Sequence, residues 1–118
     1  MEQINKVEIL GTVGNCRVSE VGGRRQARVS VVTDVAFRND RGEAVIESTW
    51  HNCILWGPEY GPDCFDDIRR GTRIHIVGRY RNNPYTDNAG RMTFVPEVLA
   101  SEYQITDGAN IKLQPQNI

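Results

Sequence analysis

The chain has 118 residues and a mass of 13.3 kDa, with 39% hydrophobic residues, 25% charged residues and a formal net charge of −1. This is one domain's length at ordinary globular usage, which excludes a coiled coil, a collagen-like repeat and wholesale disorder. No run approaches the roughly 18 consecutive apolar residues of a spanning helix, and the opening residues, with Glu2, Asn5, Lys6 and Glu8, lack a signal-peptide core. A soluble, cytoplasmic chain with no membrane partner is expected.

Alternation rather than helical spacing governs the apolar pattern, so strands are predicted in chain order. Val7, Ile9 and Leu10 open the first, which passes Gly11 and Gly14, where glycine permits a bulge or bend, and ends at the Gly22-Gly23 hairpin. Ala27, Val29, Val31, Thr33, Val35 and Phe37 then share one parity against Arg28, Ser30 and Asp34 on the other, as in a long half-buried strand. Asn39-Asp40-Arg41-Gly42 is a turn, and Ala44 to Trp56 is a third strand rich in β-branched and aromatic residues. Gly57-Pro58-Glu59-Tyr60-Gly61-Pro62 must be a loop, because proline removes ladder donors. Asp63 to Arg70 places acids early, bases late and Gly71 as a stop, which predicts one short helix. Arg73 to Tyr85 and Met92 to Ile105 supply the last two strands, around the turn Asp87-Asn88-Ala89-Gly90.

Three strands, a short helix and two strands are the order of an all-β, five-stranded OB barrel with its helix between strands 3 and 4. A small SH3-like barrel would lack that helix, and a sandwich would usually need seven strands. The domain is placed at residues 1–105, with 106–118 as a short polar C-terminal tail.

Little points to covalent chemistry. Cys16, Cys53 and Cys64 are widely spaced with no CxxC pair, which predicts free thiols in a reducing compartment. Cys64 beside Asp63 would be a poorly activated nucleophile, since a neighbouring acid raises a thiol pKa. His51 and His75 are the only imidazoles and have no carboxylate at ligand spacing. No cofactor, no metal and no catalytic residue are expected.

The aromatic and arginine residues are more informative. Arg supplies all but two of the fourteen cations, a bias that suits planar contacts with phosphate or stacked bases and is also an ordinary surface choice. Trp50 and Trp56 share a parity and would lie roughly 20 Å apart along one strand face. Arg79, Arg81, Asn83 and Tyr85 share another. Taken alone, the tryptophans read more readily as core than as stacking platforms, and the arginine face more readily as plain solvation. Together they form what single-stranded nucleic acid requires, cations for phosphates and rings for bases.

The segments Ile4-Asn5-Lys6-Val7, Leu10-Gly11-Thr12-Val13-Gly14, Ala27-Arg28-Val29-Ser30-Val31, Ser48-Thr49-Trp50-His51-Asn52, Leu55-Trp56-Gly57, Arg69-Arg70-Gly71, Ile76-Val77-Gly78-Arg79 and Tyr85-Thr86-Asp87 occur in an order and spacing that resemble the bacterial single-stranded DNA-binding protein family. The resemblance covers nearly the whole domain. It implies an OB barrel, a homo-oligomer that is usually a tetramer, and sequence-independent binding and protection of single-stranded DNA in replication, recombination and repair on the bacterial nucleoid. The family's four base-stacking positions fall on Phe37, Trp50, Trp56 and Tyr85, and Arg28, Arg38, Arg70, Arg79 and Arg81 are the expected phosphate contacts. His51 is placed by the resemblance at a subunit interface. The family often carries Arg or Lys where this chain has Asn52, Pro58 and Pro84, which implies fewer phosphate contacts. The chain ends Gln116-Asn117-Ile118 without the family's acidic, Phe-terminated tip, so recruitment of replication and repair enzymes by that route is not expected. The competing reading is an OB adaptor, a primosomal or mobile-element accessory protein that acts mainly through protein contacts.

Overall fold

The computed structural model describes residues 2–106, and five strands account for most of them: β1 (Val7–Val21), β2 (Arg24–Arg38), β3 (Ala44–Trp56), β4 (Arg73–Thr86) and β5 (Met92–Thr106). They close into a barrel in the order β1-β2-β3-β5-β4, the all-β, five-stranded OB arrangement expected. Closure depends on β1, which pairs with β4 through Val7 to Thr12 and with β2 from Thr12 to Val21. Because β1 gives its first half to β4 and its second half to β2 within one closed barrel, it bends between them. Gly11 lies so close to β2 that a Cβ there would meet the Val32 carbonyl and the Val31 side chain, and a register shift falls between Val13 and Asn15, at Gly14. The barrel is completed by a short parallel contact, Cys53 opposite Val98 and Ile54 opposite Leu99.

Ile9 and Val13 of β1, Ala27, Val29 and Val31 of β2, Cys53 and Leu55 of β3, Ile74 and Ile76 of β4 and Val98 of β5 fill the interior. Burial pushes the Cys53 thiol up to about 12, so it is an inert apolar filler. The alternation in β2 predicts a buried face as far as Phe37, yet burial stops at Val31, and Val35 and Phe37 are exposed. The β2–β3 ladder runs on to Arg38 opposite Ala44, so its outer half projects past the barrel as an arm with no layer beneath it. The β4–β5 ladder does the same, from Tyr80 to Met92.

The helix expected over Asp63 to Arg70 is a single 3-10 turn, Phe65–Asp67, after which Ile68 is extended at φ −85 and ψ 107. Packing explains the difference. Phe65 and Ile68 are both buried, and their spacing of three matches the tighter turn. Asp63 Oδ1 is already used, accepting from the Phe65 N–H at 3.0 Å and from Arg25 Nη1 at 3.2 Å. Gly71, expected as a helix stop, is at φ 92, and the Thr72 N–H reaches back to the Arg69 carbonyl at 2.9 Å. Thr106, assigned to the tail, is the last residue of β5 opposite Arg73; the remainder of that segment lies outside the described residues.

Candidate nucleic-acid interface

Because Cys53 and Leu55 point into the barrel, the even residues of β3 point the other way, with Ser48, Trp50 and Asn52 exposed, Trp56 half-buried and Ile54 covered at 1% exposure. The register sets Trp50 opposite Val32, Asn52 opposite Ser30, Ile54 opposite Arg28 and Trp56 opposite Gln26. An open groove on this outer side is lined by Arg17, Arg28, Asn52, Ile54, Val95 and Glu97, drawn from β1, β2, β3 and β5.

Trp50 is 59% exposed. Its benzenoid edge lies over Gly14, where a Cβ would overlap Cζ3 and Cη2, so the bulge in β1 supplies the seat on which the indole rests. Trp56 is half-buried, and the Arg24 guanidinium sits 5.3 Å from its ring centroid while Arg24 Nη2 donates to the Gly57 carbonyl at 2.7 Å. One face of Trp56 is therefore already occupied by a cation. Tyr85 is 53% exposed in β4, on the same side as Arg79 and Arg81 by strand alternation. Phe37 has the parity of Val31, Thr33 and Val35, so it lies on the opposite side of the β2–β3 arm from Trp50. The structure thus brings Trp50, Trp56 and Tyr85 to the outer side and leaves Phe37 on the reverse.

The expected phosphate contacts also separate. Arg79 is exposed on the outer side. Arg81 and Arg28 converge on Glu97, a residue only 3% exposed. Arg81 donates through Nε at 2.8 Å and Nη2 at 2.7 Å to Oε1, and Arg28 Nη1 is 3.8 Å from Oε2. Arg38 donates to the Gly42 carbonyl at 2.7 Å and ties the β2–β3 turn. Arg70 is exposed before Gly71, whose N–H bonds the Val13 carbonyl of β1 at 2.8 Å.

Three residues escape a reading of the sequence by parity alone. Arg24 lies beside a hairpin glycine and gives no hint that it stacks on Trp56. Gly14 reads as a bend and not as an aromatic's seat. Glu97 sits between Val95 and Leu99 in an apolar run, and an acid flanked by apolar residues on its own strand parity is the one signal that could have marked it as a buried, partnered carboxylate.

His51 points inward from β3, with Nε2 2.9 Å from Thr33 Oγ1, and burial lowers its pKa. A neutral imidazole in the fold against a normally titrating one in the unfolded chain means that the unfolded state takes up more protons in acid. The His51 contribution is complete above about pH 6.5, the unfolded value, and falls as the pH drops through the depressed folded value. Denaturant melts at pH 7.5 and 5.0 are expected to show a larger acid loss for the native chain than for His51→Gln, and equal losses would contradict this. Cys64 is raised first by burial and then by Asp63 and Asp67, so it is no activated nucleophile.

The sequence profile described as the Single-strand binding protein family matches residues 4–106. Single-stranded DNA-binding protein 1 of Chlorobaculum tepidum is 24% identical over 105 residues, covering 86% of this chain and 64% of that protein. The single-stranded DNA-binding protein of Xanthomonas axonopodis pv. citri is 29% identical over 108 residues, covering 89% and 59%. The chain therefore spans about three-fifths of the length of these relatives. Among solved structures, a Plasmodium falciparum SSB complex with ssDNA superposes with a TM-score of 0.79 at 21% identity, over 91% of this chain and 98% of that one. A deletion mutant of the Thermus aquaticus single-stranded DNA binding protein gives 0.76 at 18% identity, over 89% and 51%. The last two establish a shared fold; with the profile match across almost every described residue, this chain belongs to the single-strand binding protein family.

Proposed function

We propose that the protein binds single-stranded DNA without sequence preference along the outer side of the barrel and performs no covalent chemistry. The observation that carries this reading is Trp50, an indole 59% exposed and seated on Gly14 beside a groove lined by Arg17 and Arg28. A large aromatic held open to solvent gains nothing for folding, but offers a base a preformed stacking surface. Trp56 and Tyr85 extend that surface, and Phe37 takes part where the strand passes round the β2–β3 arm. Arg79, Arg28 and Arg81 meet phosphates on the same side, with Arg38 and Arg70 at its margins. The names of the relatives and the bound ssDNA in the Plasmodium falciparum complex support the same partner. Such binding protects single strands during replication, recombination and repair in the cytoplasm, at the nucleoid.

The stretch where the inner face of β2 and β3 runs on past the barrel, with half-buried His51 and Thr33 at its base and exposed Val35 beyond them, is the proposed contact between subunits. A homotetramer would present several grooves to one strand and gain avidity from their linkage. The test of the central reading is intrinsic tryptophan fluorescence titrated with oligo(dT) and with duplex DNA at two salt concentrations. Quenching by oligo(dT) alone is expected, mostly from Trp50. Absence of quenching, with no binding in an anisotropy assay, would favour the adaptor reading. That alternative draws on the engagement of Arg28 and Arg81 by Glu97 and on the net charge of −1.

A further inference from the structure

A carboxylate with 2% of its side chain exposed cannot remain ionised without partners, and Glu97 has two. Arg81 gives both Nε and Nη2 to Oε1, and Arg28 approaches Oε2. The arginine side chains are 36% and 54% exposed; Arg28 lines the groove with Glu97, and Arg81 reaches the same carboxylate from β4 beside it. Because Glu97 is buried, an arriving phosphate cannot displace it into solvent. The phosphate meets two guanidiniums whose combined charge has been reduced by one.

We propose that Glu97 sets the strength and the salt dependence of nucleic-acid binding by holding Arg28 and Arg81 beside one another at the groove with half of their charge neutralised. This deepens the single-stranded DNA reading and rests on it. Glu97 is a positioning residue, since it acts only through the arginines. It keeps both guanidiniums aligned on one carboxylate at the groove and limits them to one phosphate's worth of attraction. A strand bound this way is held mainly by stacking and can be released or displaced more easily than one gripped by two free cations.

Glu97→Gln keeps the shape and an acceptor for Arg81 while removing the charge. Anisotropy titrations with labelled oligo(dT) at several salt concentrations are expected to show binding about three- to tenfold tighter at low salt. The slope of log K against log salt should steepen by about 0.7, the equivalent of one further phosphate on a single strand. A carboxylate that merely supported the fold would lower the melting temperature and leave that slope unchanged. Native-like circular dichroism with equal or weaker binding and an unchanged slope would overturn the proposal.

If Glu97→Gln does not fold, the comparison moves to Arg81→Met against Arg81→Met/Glu97→Gln, which leaves no buried carboxylate in the double variant. The double variant is expected to bind oligo(dT) more tightly, again with a slope steeper by about 0.7, because Arg28 is freed; identical curves would overturn the inference. Failure of the native protein to bind oligo(dT) even at low salt would overturn the reading of the whole face, and the inference with it. A native protein that binds, beside variants that match it, removes only the role of Glu97.

Discussion

Trp50→Ala is expected to weaken binding of oligo(dT) by about 5- to 150-fold, the range that corresponds to roughly 1–3 kcal/mol for one stacked base. The effect should be the largest of the four aromatic substitutions. Trp50 presents more free surface than Phe37, which is 40% exposed on the other side of the arm, and Trp56 already carries Arg24 on one face. Stability should hardly change, because the indole contributes little to the core. Gly14→Ala provides a companion measurement: the new Cβ would overlap the ring edge and push the indole off its seat, which can swing into solvent. Binding should fall and tryptophan emission should shift while the fold survives. Equal affinity of Trp50→Ala and native protein, measured by anisotropy, would remove stacking at this position from the account.

Gly78→Ala is expected to damage the fold itself. A Cβ at this position would overlap the Leu99 carbonyl oxygen and come within 2.9 Å of Ala100 Cα and the Leu99 carbonyl carbon. All three are backbone atoms of the neighbouring strand, and they cannot turn aside as a side chain can. The site is also where β4 and β5 change register, with Val77 opposite Glu102 and Gly78 opposite Ala100. Relief would require the strands to part near the buried Ile76 and Val98. Overpacking costs roughly 1–3 kcal/mol, and a collision with unyielding backbone puts this one at the upper end, about 3 kcal/mol, a large share of the roughly 5–15 kcal/mol that holds a domain together. A fall in the melting temperature of about 10–20 °C is expected in a thermal melt followed by circular dichroism. A fall of less than a few degrees would mean that the ladder tolerates the methyl group. Gly22 and Gly90, which have open space around them, would not show this backbone collision, although their positive φ angles would still disfavour alanine.

The glycine contrast separates two kinds of information carried by the same residue type. Gly14 and Gly78 are equivalent as letters within strand patterns, yet one clears space for an exposed indole and the other for a neighbouring backbone. Only the neighbour across the ladder distinguishes them, and that neighbour is remote in sequence. The same reasoning applies to Glu97. Its partner Arg81 is sixteen positions away and Arg28 lies on a different hairpin, so nothing local announces that two of the expected phosphate ligands share a buried carboxylate.

The amino-acid order by itself determined the five strands, their turns, and the shared parity of Trp50 with Trp56 and of Arg79 with Arg81 and Tyr85, while which of these faces is outward waited for the core. Side-chain alternation with a period of two and glycine-marked turns are local properties that need no knowledge of the partner strand. It also carried the OB order and the family resemblance, since both are written in the succession of short segments. Tertiary structure alone decided where the barrel ends and the arms begin, because burial depends on whether another layer covers a strand. It reduced the expected helix to the 3-10 turn Phe65–Asp67, because Phe65 and Ile68 had to enter the core together. It also put Phe37 on the reverse of the arm, occupied one face of Trp56 with Arg24, and joined Arg28 and Arg81 through Glu97. Each of these depends on side chains meeting across strands, and strand pairing is a long-range outcome of closing the barrel.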